Sequence, residues 1–167
     1  REVEVDAARH LARRCAAEGA RVVIADLRQE TVDATVEALG GAAGGCFGIA
    51  MDVASEASVA DGVAKAIDLL GRVDGLVNCA AIVLHSDPLA ISRADWQKQF
   101  EINLFGAYDI SRLVAAHMIE HDIQGAIVSI ASERSSAAWH SASYSLNVLR
   151  SYASWGSIVR SCAVSME

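Results

Sequence analysis

Ser132, Tyr144 twelve residues after it, and Asn103 upstream are the side chains whose types and spacing could do chemistry. A serine and a tyrosine at the end of a buried strand can hold a carbonyl oxygen and pass it a proton, half of an alcohol–ketone redox site. Such a tyrosine starts with a pKa of about 10 and needs a neighbouring cation to ionise near neutrality. No lysine follows Lys98. Three more polar residues close apolar runs: Asp26, Asp52 and Asn78. Packing has no need of polar groups at every run end, whereas an extended dinucleotide would meet them there.

The elements that must position these residues are legible in outline. Short apolar runs at 21–26, 46–51, 73–78 and 126–131 read as strands. Helical stretches at 6–18, 29–39, 55–70 and 92–120 alternate with them, and Gly19 and Gly40-Gly41 act as stops. Ser55 and Ser92 stand as caps. Along the longest helix Trp96, Phe100, Leu104, Ala107 and Val114 follow helical spacing as one apolar stripe. Strands alternating with helices predict a doubly wound parallel α/β sheet, Rossmann-like, with three α/β/α layers in a single domain over 1–167.

Composition agrees. The 167 residues are 53% hydrophobic and only 5% aromatic, which suits aliphatic parallel strands under alanine-rich helices. A net charge of −7 argues against nucleic acid or an anionic membrane as partner. No apolar run reaches the ~18 residues of a membrane span, and Arg1–Val5 does not read as a signal peptide. The cysteines Cys15, Cys46, Cys79 and Cys162 are scattered, as expected of reduced thiols in a cytoplasmic protein.

Taken in order, these motifs resemble the short-chain dehydrogenases/reductases over about residues 6 to 145. Asp52-Val53 is similar to the family's adenine-contacting Asp-Val, and Asn78-Cys79-Ala80-Ala81 to its Asn-Asn-Ala-Gly. Asn103 within Ile-Asn-Leu-Phe-Gly matches the tetrad asparagine, Ser132 the catalytic serine and Tyr144 the catalytic tyrosine. The nearest likeness is to bacterial polyol and sugar dehydrogenases. The resemblance implies NAD(H)-linked oxidation of a secondary alcohol or reduction of its ketone. Tyr144 would be the acid/base, Ser132 would hold the substrate oxygen and Asn103 would order a water in the proton relay. Asp26, with Leu27 beside it, would meet the adenosine ribose and favour NAD over its phosphorylated form. Asp52, Val53, Asn78, Ala80 and Ala81 would line the rest of the cofactor. Pairing through the long helix into a homodimer or homotetramer is also implied.

The departures are specific. The family opens with a central strand and a Thr-Gly-x-x-x-Gly-x-Gly turn that cradles the pyrophosphate. Here Asp6-Ala7-Ala8 stands where Gly-x-Gly belongs, and no glycine precedes Gly19. The family lysine four residues after the tyrosine is replaced by Val148, as if a short piece had been removed after Ser145. Residues 158–164 resemble the family's sixth strand, and the last strand and substrate-covering region are not found. Two other readings therefore stand beside the enzyme: a dimerising α/β scaffold with impaired catalysis, and an enzyme whose sequence here omits mobile segments.

Two remaining patterns carry less. His117-Met-Ile-Glu-His121 spells the H-x-x-E-H of some zinc proteases but falls at a helix end with no third ligand in view, so no metal is expected. Gly40–Gly45 follows a helix and precedes a strand, the wrong order for a phosphate loop.

Overall fold

The strand Arg21–Asp26 (β1) shows how the sheet is built. Val22 and Ile24 face one side and Val23 and Ala25 the other, and all four are buried, as in a parallel strand covered on both faces. A computed structural model describes residues 2–84, 89–130 and 161–165.

Helix Glu2–Ala17 (α1) leads into β1. It ends where Gly19, at φ 83°, turns left-handed and Ala20 N–H donates to Cys15 O at 3.0 Å. Its start at Glu2 lies before the expected residue 6, so residues 2–5 continue the helix instead of forming strand or turn. Gln29–Ala38 (α2) leads to Cys46–Ala50 (β2), and Glu56–Leu70 (α3) to Gly75–Asn78 (β3). Ser55 caps α3, its Oγ accepting from Ser58 N–H at 3.3 Å, and Gly71 at φ 78° ends it. The buried face of α3 is Val59, Val63, Ala66 and Leu70, an i, i+4, i+7, i+11 stripe.

The expected helix from Ser92 to Glu120 is interrupted. Arg93–Phe100 (α4) and Ala107–Glu120 (α5) flank a π-helical stretch, Glu101–Gly106. The wider winding there re-phases α5 relative to α4. The core-facing row is Ile102, Gly106, Ile110, Val114 and Met118. Of the predicted stripe only Val114 is fully buried, while Phe100 and Leu104 are exposed.

Ala126–Ser129 (β4) and Ser161–Ser165 (β5) complete a five-stranded sheet of order β2-β1-β5-β3-β4, parallel throughout. From the sequence, 158–164 is expected as a sixth strand. Instead β5 begins at Ser161 and lies in the middle, with Val22 and Gly75 both opposite Cys162. That is the slot of the first strand in a doubly wound sheet. Hydrogen-bond pairing settles the position, because β5 is paired on both sides, between β1 and β3. One face of the sheet packs Val23, Ile49, Val59, Leu76, Ile110 and Val114. The other packs Ala8, Ala12, Val22, Ile24 and Cys46. The helices thus lie on both faces, the three-layer arrangement read from the sequence.

No helix among the described residues is long and apolar enough to cross a membrane.

Candidate active site

The carboxyl ends of β1, β2 and β3 bring Asp26, Asp52 and Asn78 to one edge of the sheet, and β5 adds Ser165 opposite Ala25 and Asn78. Asp26 is 2% exposed. Its Oδ1 accepts from the Arg28 backbone N–H at 2.9 Å and lies 3.9 Å from the Arg28 Nε. Its Oδ2 is buried and has no partner among the described residues. An orphaned buried acceptor costs about 1–3 kcal/mol, so a ligand hydroxyl that displaces its cover and donates to it is favoured. Leu27, next along the edge, is about half exposed.

Asp52 is exposed. Its Oδ1 accepts from Ala54 N–H at 2.9 Å, and its own N–H donates to Ser58 Oγ at 3.0 Å. Val53 is buried in the core against Gly106, where a Cβ would stand 2.6 Å from the Val53 carbonyl oxygen. Asn78 is buried, its Oδ1 accepting from Ala80 N–H at 3.2 Å, which turns the chain as it leaves β3. Ala80 is buried and Ala81 half-buried.

Asn103 sits in the π-helical stretch and clasps this turn. Its Oδ1 accepts from Ile82 N–H and its Nδ2 donates to Ile82 O, both at 2.8 Å. One lone pair and one N–H remain for a water. Gln99, one turn before, accepts from Leu84 N–H through Oε1 at 3.3 Å. Gln99 is absent from the residues marked by the sequence, although its i, i+4 spacing from Asn103 is the available signal. Together the two amides fix residues 82–84 against the helix. Ser132, Tyr144 and Val148 lie outside the described residues.

His117 and His121 stand at the opposite, amino-terminal edge, rings 4.5 Å apart. His121 Nδ1 lies 3.0 Å from His117 O, while His117 Nε2 is buried without a partner among the described residues. Burial pushes the His117 pKa down, and the nearby His121 and Arg72 charges act the same way against Glu120. Among the described residues no three potential ligands gather around a metal position.

The residues fit one end of a dinucleotide. Asp26 offers an unsatisfied carboxylate oxygen to a ribose diol. At the pyrophosphate end they do not fit, because Asp6, Ala7 and Ala8 are helical where a glycine turn would approach phosphate.

Comparison with known proteins matches a family profile described as short chain dehydrogenase to residues 8–145. The dehydrogenase subunit BbsD of Thauera aromatica, named for (2S)-[(R)-hydroxy(phenyl)methyl]succinyl-CoA, is 36% identical over 119 residues, covering 71% of this chain and 48% of that protein. A sorbitol dehydrogenase of Cereibacter sphaeroides is 38% identical over 116 residues, 70% of this chain and 44% of that protein. Among solved structures, an actinorhodin polyketide ketoreductase with NADPH superimposes with a TM-score of 0.69 at 31% identity, covering 74% of this chain and 48% of that one. The chain spans about half the length of the curated relatives it matches.

Proposed function

Because this chain belongs to the short-chain dehydrogenase/reductase family of oxidoreductases, we propose that it serves NAD(H)-linked interconversion of a secondary alcohol and its ketone, with a polyol or sugar as substrate class. The observation that carries the NAD preference is the unpartnered Oδ2 of Asp26. A carboxylate there accepts hydrogen bonds from both hydroxyls of an unmodified ribose and repels a 2′-phosphate. The polyol reading is supported by similarity to the sorbitol dehydrogenase and to a D-threitol dehydrogenase of Mycolicibacterium smegmatis.

Each residue has a defined role in this reading. Asp26 fixes the ribose. Asn78 turns the chain out of β3, and Asn103 and Gln99 hold residues 82–84 beside the reacting end. Tyr144 exchanges the proton at the substrate oxygen that Ser132 holds. With Val148 in the lysine position, nothing at that position lowers the tyrosine pKa, so turnover is slow at pH 7 and rises towards pH 10. The subunits pair through the exposed apolar surface of Phe100, Leu104, Phe105 and Tyr108.

Titration calorimetry with NADH and NADPH tests the cofactor preference. NADH should bind more tightly, and Asp26→Asn should shrink the difference. Tighter NADPH binding by the unmodified chain would refute the assignment.

A further inference from the structure

His117-Met-Ile-Glu-His121 takes no part in the redox reading, and it closes α5 at the edge of the sheet away from Asp26 and Asn78. From the motif alone no metal is expected, because a third ligand is missing. The fold adds what the motif cannot show, which is how the two rings stand.

They lie one helical turn apart, with ring centroids 4.5 Å apart and planes tilted by 39°. His121 Nδ1 is 3.0 Å from His117 O. A carbonyl oxygen only accepts, so the proton of a neutral His121 ring sits on Nδ1 and its Nε2 carries a free lone pair. A backbone carbonyl that holds the far nitrogen is also what orients a ligating imidazole. On His117, Nε2 is buried and has no partner among the described residues, and the residue is 8% exposed. A buried nitrogen in that state gains from any partner that reaches it. Two Nε2 atoms share an ion at about 2.0–2.1 Å each when they come within roughly 4.2 Å, which these neighbouring rings reach by small side-chain rotations. The surrounding charge permits a cation. Arg72, whose charge reaches His117, is hydrogen-bonded to Asp74 through Nε at 2.7 Å, and Glu120 is exposed beside His121 in the chain.

We propose that His117 and His121 chelate a divalent transition-metal ion of the nickel and zinc class through both Nε2 atoms, with water completing its coordination. Imidazole nitrogen suits these ions and not magnesium. Among the described residues no three potential ligands gather, so the ion has a place in the fold and no catalytic centre around it. It holds the last turn of α5 wound and stabilises the folded chain by mass action. With two of the four ligands of a closed zinc site, the dissociation constant should be about 1–100 µM.

The experiment is calorimetric titration of the full 167-residue chain with NiCl2, ZnCl2 and MgCl2, with thermal midpoints recorded before and after EDTA. Nickel and zinc should each bind once per chain at about that affinity, and magnesium should not bind. Nickel should raise the midpoint, and EDTA should return it. His121 is exposed, so His121→Gln should fold as the native chain does. It should lose roughly tenfold or more in nickel affinity, together with the rise in midpoint. Undiminished nickel binding by His121→Gln places the ion on other side chains and overturns the proposal. So does an absence of nickel binding up to about 1 mM, or magnesium binding as tightly as nickel. NADH affinity should be the same with and without nickel, and competition between the two would also overturn it.

Discussion

Single atoms decide much of what this domain does. His117 is one case. Its ring is buried with Nε2 unpartnered, and its pKa is held below the ordinary histidine value by burial, then by His121 and Arg72, with Glu120 opposing. The folded state therefore binds its proton less readily than the unfolded chain. Accordingly, the His117 contribution to stability is complete above the ordinary histidine pKa of about 6.5 and is lost as pH falls below it. Urea midpoints compared between pH 7.5 and 5.5 should drop more in the native chain than in His117→Leu. An equal drop would remove His117 from the account. Asn103 is another case. Its amide makes two hydrogen bonds to Ile82. Asn103→Ala should cost roughly 1–3 kcal/mol, two bonds of about 0.5–1.5 kcal/mol each, measured by chemical denaturation. Cleavage within 80–84 by a dilute protease should accelerate.

At the scale of elements, the sequence is a sound guide where a local pattern settles the matter. Apolar runs closed by Asp26 and Asn78 are strands with those residues at their carboxyl ends. Ser55 and Ser92 are caps because a hydroxyl accepting from the third following N–H is a local event. The long helix departs from its expected phase, because a period of 3.6 assumes uniform winding. The π-helical stretch Glu101–Gly106 buries Ile102 and Gly106 and leaves Phe100 and Leu104 outside the core. Gly106 holds that stretch against the chain after β2. A Cβ there would lie 2.6 Å from Val53 O and 3.0 Å from Val53 Cβ. Gly106→Ala should destabilise by about 1–3 kcal/mol, as overpacking does, and shift the thermal midpoint downward. An unchanged midpoint would mean that the two segments part without cost. Gly106 is not legible in the sequence, since it matters only through a partner distant along the chain, and Gln99 shows there only by lying one helical turn before Asn103.

For the whole molecule, the layer architecture follows from alternation alone, but the place of one strand does not. Ser161-Cys-Ala-Val-Ser165 has a weak pattern, and pairing with both β1 and β3 is invisible to any local reading. The subunit arrangement is open to a direct measurement. Sedimentation at tens of micromolar should show a dimer or tetramer, and Phe105→Glu with Tyr108→Glu should yield monomer, since charges in an apolar interface are costly. A monomeric native chain would contradict the pairing proposed through that surface.

The central strand also sets a timetable. Ser161 follows Asn78 by 83 residues, so a ribosome adding about 5–20 residues per second needs roughly 4–17 s between them. Throughout that interval β1 and β3 each expose the side that β5 covers among the described residues, the condition under which nascent sheets join the wrong neighbour. Sheet closure waits for a strand made long after its two neighbours, so yield of soluble protein should depend on how crowded and how warm the cell is while the chain waits.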